Sequence, residues 1–186
     1  IVKYKNPWDR RAKAWLKTLA DQLRAFLGMI FHRFIDGVVT GRQPLNIRLN
    51  GSAIRSWDPF ALQEKATVVH PAVELLVQSA SGADLVRFQP YTLPSRDDFS
   101  SEEAFHAKAG PRKWNAQQGL YIYRANRMIQ SGGWCRMRVL DEHVKLARAS
   151  LDFYPGLDSA FEVNVAKARV SLPSSVREQL AKPIEE

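Results

Sequence analysis

Trp15, Leu19, Leu23, Phe26, Leu27, Ile30, Phe31 and Phe34 recur mostly at steps of three or four residues, the spacing that gathers side chains on one face of an α-helix. The pattern predicts a helical region over residues 9–36, capped by Asp9, with room for one break, and ended by Gly37 and Gly41. Its large aromatic side chains read as core.

Beyond residue 45 the apolar period shortens to two, and the chain reads as strands out to residue 172. In "LNIRLNGSAIRSWDP", Asn50-Gly51 supplies the positive φ angles of a tight hairpin turn, and Trp57-Asp58-Pro59 reads as a packed turn. A second hairpin is expected around Ser81-Gly82-Ala83-Asp84, and another strand pair around Arg124-Ala125-Asn126-Arg127. Between them "SSEEAFHAKAG" predicts a short helix capped near Ser100 or Ser101 and stopped at Gly110. "KLARASLDFY" continues the alternation. In "AFEVNVAKARVSLP", Phe161, Val163 and Val165 alternate with polar or small residues as a half-buried strand that runs into Lys167 and Arg169. A closing helix over residues 173–183 opens at Pro173 or Ser174. A helical region, then strands, then a helix argues for an α+β sandwich, with helices on one face of a mixed sheet.

With 186 residues and 45% hydrophobic content, the chain can bury one sizeable core, or one domain with a partial neighbour. Its longest apolar run, "AFLGMIF", is far short of a membrane span, and no signal peptide opens the sequence. Cys135 is the only cysteine, which excludes an internal disulfide, and the histidines His32, His70, His106 and His143 show no paired ligand spacing. The expectation is a cytoplasmic protein without membrane contact. The net charge of +8 sits almost wholly in the first fifty residues, with Arg10, Arg11, Lys13 and Lys17 at its centre. Such a stripe is either a solvated helix face or a contact for nucleic-acid phosphates. The sequence begins inside what reads as a strand, without an initiator methionine, so a fragment of a longer polypeptide is expected.

Familiar catalytic arrangements are missing. Cys135 has no nucleophile-elbow context, and neither "GxxxxGK[ST]" nor "GxGxxG" occurs to cradle a nucleotide. The pairs Asp97-Asp98 and Glu102-Glu103 stand in a hydrophilic loop and a helix start, where they complement the helix dipole.

Three stretches, in order, resemble the second domain of the GHKL ATPases, the group that includes gyrase B, MutL, the ninety-kilodalton heat-shock chaperones and the MORC proteins. "IVKYKNPWDRRAKAWLK" resembles the MutL segment in which a closing strand of the ATPase domain passes through an Asn-Pro turn and an Arg-Arg pair into a helix, here Asn6, Pro7, Arg10 and Arg11. "GLYIYRANRMI" is similar to a strand, Asn-Arg turn and strand of that domain. "FEVNVAKARV" resembles "VDVNVHPAKHEV" with the His-Pro pair lost. The likeness is closest to MutL and bacterial MORC-like proteins.

The resemblance implies a transducer domain with the fold of ribosomal protein S-five domain two. Residues 1–8 would close a missing ATPase domain, and 9–186 would form the transducer: a helical lead-in at 9–36, a strand-rich core at 45–172 and the closing helix. It also implies that Lys167 serves as both catalytic and cofactor-binding residue, reaching the terminal phosphate of ATP. ATP and magnesium would belong to the full-length protein, with no cofactor in this chain and no turnover by the chain alone. The implied partners are the ATPase domain of the same polypeptide, a second copy of the full-length protein, and DNA. The alternative reading is a nucleic-acid-binding module using Arg10, Arg11, Lys13 and Lys17. A scaffold that binds only protein would fit exposed hairpins but has no positive signal.

Overall fold

The computed structural model of the protein describes residues 10–110, 112–163 and 170–185, in two units that divide between Trp57 and Asp58. In the first unit, α1 (Arg10–Ile30) and α2 (His32–Ile35) follow one another with a break at Phe31, whose φ of −106° and ψ of 14° leave the helical well. Gly37 and Gly41 take positive φ beyond them, as expected. Strands β1 (Arg48–Leu49) and β2 (Ser52–Ala53) form the first hairpin, and Asn50 and Gly51 adopt φ of 52° and 80° in its turn.

The aromatics of α1 are not core. Trp15 is 63% exposed and Phe26 50%, and Leu16, Leu19 and Leu23 lie open beside them. The returning chain meets the C-terminal part of the helix: the Trp57 N–H donates to the Gly28 carbonyl at 3.0 Å, and Gly28 leaves space for the Arg55 carbonyl. Helical period identifies an apolar stripe but not whether this unit supplies a layer to cover it.

The second unit holds a mixed six-stranded sheet built from β3 (Val68–Val69), β4 (Val73–Ser79), β5 (Gly82–Thr92), β6 (Gly119–Arg124), β7 (Arg127–Gln130) and β8 (Ala147–Phe153). The order is β3-β5-β8-β6-β7, with β4 pairing the earlier part of β5; only β6 and β8 run parallel. The β4–β5 turn is Ala80-Ser81, two residues before its expected place, because Ser79 pairs with Gly82 and the strand pairing continues through Ala83 and Asp84. Ala125 and Asn126 turn the β6–β7 hairpin with φ of 47° and 68°, where it was expected.

Helices α3 (Glu102–Lys108), α4 (Lys113–Gln117) and α5 (Ser174–Glu185) complete the unit, and α4 was not anticipated. Ser101 caps α3 through its side chain, accepting from the Ala104 N–H at 3.0 Å. One sheet face packs Leu75, Val86, Phe88, Leu120, Ile122, Leu151 and Phe153 against Val176, Leu180 and Ile184 of α5. The other carries Tyr121, Tyr123 and Arg148 under Phe60 and Trp114. Helices therefore lie on both faces. The one-face expectation missed that α3 and α4 bring Phe105 and Trp114, stacked at 4.6 Å, to the second. The class is α+β as expected. No helix among the described residues is long and apolar enough to cross a membrane.

The start of the strand expected from Ala160 is also corrected, while Asn164, Val165, Lys167 and Arg169 lie outside the described residues. Residues 158–162 form turns after a 3₁₀ segment at Pro155–Leu157, and Glu162 has a φ of 46°, outside any strand geometry. Phe161 is buried by stacking on Phe153, with ring centroids 4.1 Å apart, rather than by alternation in a sheet.

Candidate functional site

The segment singled out by its lysine is bracketed by fixed residues. On its N-terminal side Arg124, at the end of β6, holds Asp158 through two hydrogen bonds of 2.6 Å, a fork on a carboxylate. That contact raises the Arg124 pKa above its ordinary value. Asp158 in turn accepts the Val163 N–H at its carbonyl, at 3.1 Å. On the C-terminal side the Ser171 N–H donates to the Phe161 carbonyl at 3.1 Å, Leu172 is buried, and the Pro173 carbonyl accepts from Val176 and Arg177 as α5 begins. Lys167 itself lies outside the described residues.

A loop from Ser131 to Arg138 runs beside this base. Trp134 anchors it, donating from Nε1 to Oε1 of Gln118 at 3.0 Å, while Gln118 also accepts from the Asp141 N–H and donates to the Asp141 carbonyl. Gly119 must be glycine here: its φ is +107°, and a Cβ would meet the backbone of Gly133. Cys135 lines a hollow with Val170, Ser171 and Leu172, and burial pushes its thiol pKa up, away from the reactive thiolate. Reading Cys135 as an ordinary cysteine agrees with that.

Of the basic residues expected to meet nucleic acid, Arg11, Lys13 and Lys17 are exposed on α1, and Arg10 is in the helix with its side chain outside the description. They do not make one face. Lys13 and Lys17 share a stripe, while Arg11 lies roughly 160° around the helix from Lys13.

The carboxylate pairs behave as helix-start residues. Glu102 accepts from Arg96 and His106, and the Arg96 contact lowers its pKa. Among the described residues no group of three or more histidine, cysteine, aspartate or glutamate side chains converges as metal ligands.

Charged residues that the sequence reading passed over stand out instead. Arg148 is 1% exposed, donating to the carbonyls of Pro59 at 2.6 Å and Lys108 at 2.9 Å, with its guanidinium 5.3 Å from the Trp114 ring centroid. Burial lowers its pKa. Arg136, Arg138 and Arg177 line adjoining hollows at the base of the bracketed segment. The run "GGWCRMR", a double-glycine turn followed by two arginines around an apolar residue, was the available signal.

No family model matches the chain, and no curated protein matches it.

Proposed function

We propose that the chain is the transducer domain of a GHKL-type ATPase. In this reading it has the ribosomal protein S-five domain-two fold and contributes Lys167 to the terminal phosphate of ATP, which is held with magnesium in an ATPase domain of the same polypeptide. The observation that carries the reading is the order of three family-like stretches, above all "FEVNVAKARV" with its lysine after the Asn-Val pair. The Ala125-Asn126 turn joining β6 to β7, with Arg127 directly after it, supports it, as does the α+β class with a mixed sheet. So does the bracket between Phe161 and Ser171, which holds both ends of a lysine-bearing segment close together.

The chemistry is that of one compact cation. A lysine ammonium offers three donors to a phosphate whose charge is redistributed as the bond to the leaving oxygen breaks. Once that phosphate leaves, the contact is lost, and the second domain responds to the nucleotide state. The test is ATP turnover by a polypeptide that joins the ATPase domain to this chain, with and without Lys167→Ala. Unchanged turnover would contradict the reading.

Exposure of Lys13 and Lys17 on α1 favours a second reading, a nucleic-acid contact compatible with the first. Binding to duplex DNA is expected to be independent of sequence and to weaken steeply with salt, because released counterions drive it. Reversing Arg10, Arg11, Lys13 and Lys17 to glutamate abolishes it in this reading. Retention that survives the reversal, or that ignores salt, excludes this surface.

A further inference from the structure

The Ser131–Arg138 loop holds an unusual run of left-handed backbone. Gly132 and Gly133 have φ of 65° and 80°, and after Trp134 the non-glycine residues Cys135 and Arg136 follow with 52° and 66°. Such conformations cost free energy for residues with a Cβ and persist only where the surroundings impose them. Here the anchored Trp134 and the Met137 N–H, which donates to the Trp134 carbonyl at 2.9 Å, impose them. The result brings Arg136 out to solvent and returns Arg138 to α5.

Two of the arginines on this surface are already oriented. Arg138 donates from one terminal nitrogen to the Ile184 carbonyl at 3.2 Å, and Arg177 donates from Nε to the Leu172 carbonyl at 3.1 Å. Each bond fixes a guanidinium while leaving other N–H groups for a ligand. Arg136 and Arg177 line two adjoining hollows of about 520 and 460 Å³, and Arg138 completes the first. Among the described residues no carboxylate forms an ion pair with any of the three.

We infer that Arg136, Arg138 and Arg177 form a binding site for a phosphate group. Three guanidinium groups line one hollow, none of them in an ion pair with a described carboxylate; their planar forks pair with the oxygens of a phosphate, and their summed charge suits an anion carrying more than one negative charge. Two of them are oriented before the ligand arrives, which lowers the ordering cost of binding. Nucleotides and nucleic-acid backbones both carry such a group, and the site recognises the chemistry they share. It rests on described residues alone and stands whether or not Lys167 meets ATP.

The experiment is a titration of the whole chain with inorganic pyrophosphate, followed through the arginine Nε–H signals and backbone amides by nuclear magnetic resonance. Saturable shifts are expected at Arg136, Arg177 and Cys135, with a Kd of about 1 mM, the scale of a few charge-assisted contacts in water. Arg136→Ala, which removes no hydrogen bond found among the described residues, should weaken binding about tenfold, the loss of one such contact. Arg136→Ala with Arg177→Ala should abolish it while the remaining spectrum stays folded. Two further titrations separate the sources. Displacement of pyrophosphate by ATP assigns a nucleotide, and displacement by a short DNA duplex that depends on Arg136 assigns a nucleic-acid backbone. Shifts confined to the basic residues of α1, an absence of saturation, or equal affinity in Arg136→Ala would overturn the site.

Discussion

Ser171 donates its N–H to the Phe161 carbonyl at 3.1 Å, while the Phe161 ring lies parallel to that of Phe153 with centroids 4.1 Å apart. The two contacts act together: the stack fixes Phe161 in the sheet core, and the hydrogen bond ties the chain beyond Val170 to it. Whatever the intervening residues contact, their two ends are held to the same point of the fold.

Removing the ring should therefore do more than open a cavity. Phe161→Ala is expected to cost about 3–5 kcal/mol of stability, the range for deleting a fully buried aromatic side chain. It should also speed hydrogen exchange at the Ser171 amide more than at the amides of β8. Urea denaturation and amide exchange measure the two effects. A large stability loss with Ser171 still protected would mean that the bracket does not depend on the stack.

Arg148 presents the opposite case, a charge inside the core. Arg148→Ala should destabilise by about 3–5 kcal/mol, because the carbonyls of Pro59 and Lys108 lose their donor and Trp114 and Tyr121 lose their packing. Arg148→Lys should recover little, since a single ammonium cannot span both carbonyls or stack on the indole. Chemical denaturation of the two variants checks this. Near-wild-type stability in the lysine variant would show that charge alone suffices.

Several of these features were legible in the residues. The Asn50-Gly51 turn follows from local chemistry, since asparagine and glycine tolerate positive φ, and Asn126 marks the β6–β7 turn for the same reason although Ala125 is left-handed beside it; the structure has both turns where they were expected. Ser101 and Gly110 mark the limits of α3 for the same local reason. Arg148 was not legible. In "ARASLDF" it falls on the polar side of an alternating strand, with Ser150 and Asp152, and reads as solvent-facing. Only Phe60 and Trp114, distant in sequence, convert that side into a second core. The start of the stretch, Ala160 to Val163, failed for a related reason: alternation suggested a strand, but the left-handed Glu162 and the stacking of Phe161 make turns.

Tyr121 gives a pH dependence whose sign can be worked out. Burial pushes its phenol pKa from 10.0 up to about 12. Below pH 10 both native and unfolded chains keep the proton; between about 10 and 12 only the unfolded chain releases it, so stability falls as pH rises. The slope reaches at most about 1.4 kcal/mol per pH unit for one proton. Tyr121→Phe should flatten that alkaline decline, at the cost of the hydrogen bonds from its hydroxyl to Gln117. Denaturation curves at several alkaline pH values compare the two proteins, and identical slopes would remove Tyr121 as the cause.

The most direct test of the transducer account is ATP turnover by a polypeptide joining the ATPase domain to this chain, with Lys167→Ala measured beside Arg169→Ala. If Lys167 contacts the terminal phosphate, its loss should slow turnover by about 10- to 1,000-fold, as when one transition-state donor is removed. Arg169→Ala should leave the rate near wild type, and the melting temperatures of both variants should stay within about 2 °C of the parent if the loss in Lys167→Ala is chemical rather than a loss of folding. Full activity in Lys167→Ala, or equal losses in the two variants, would contradict the account.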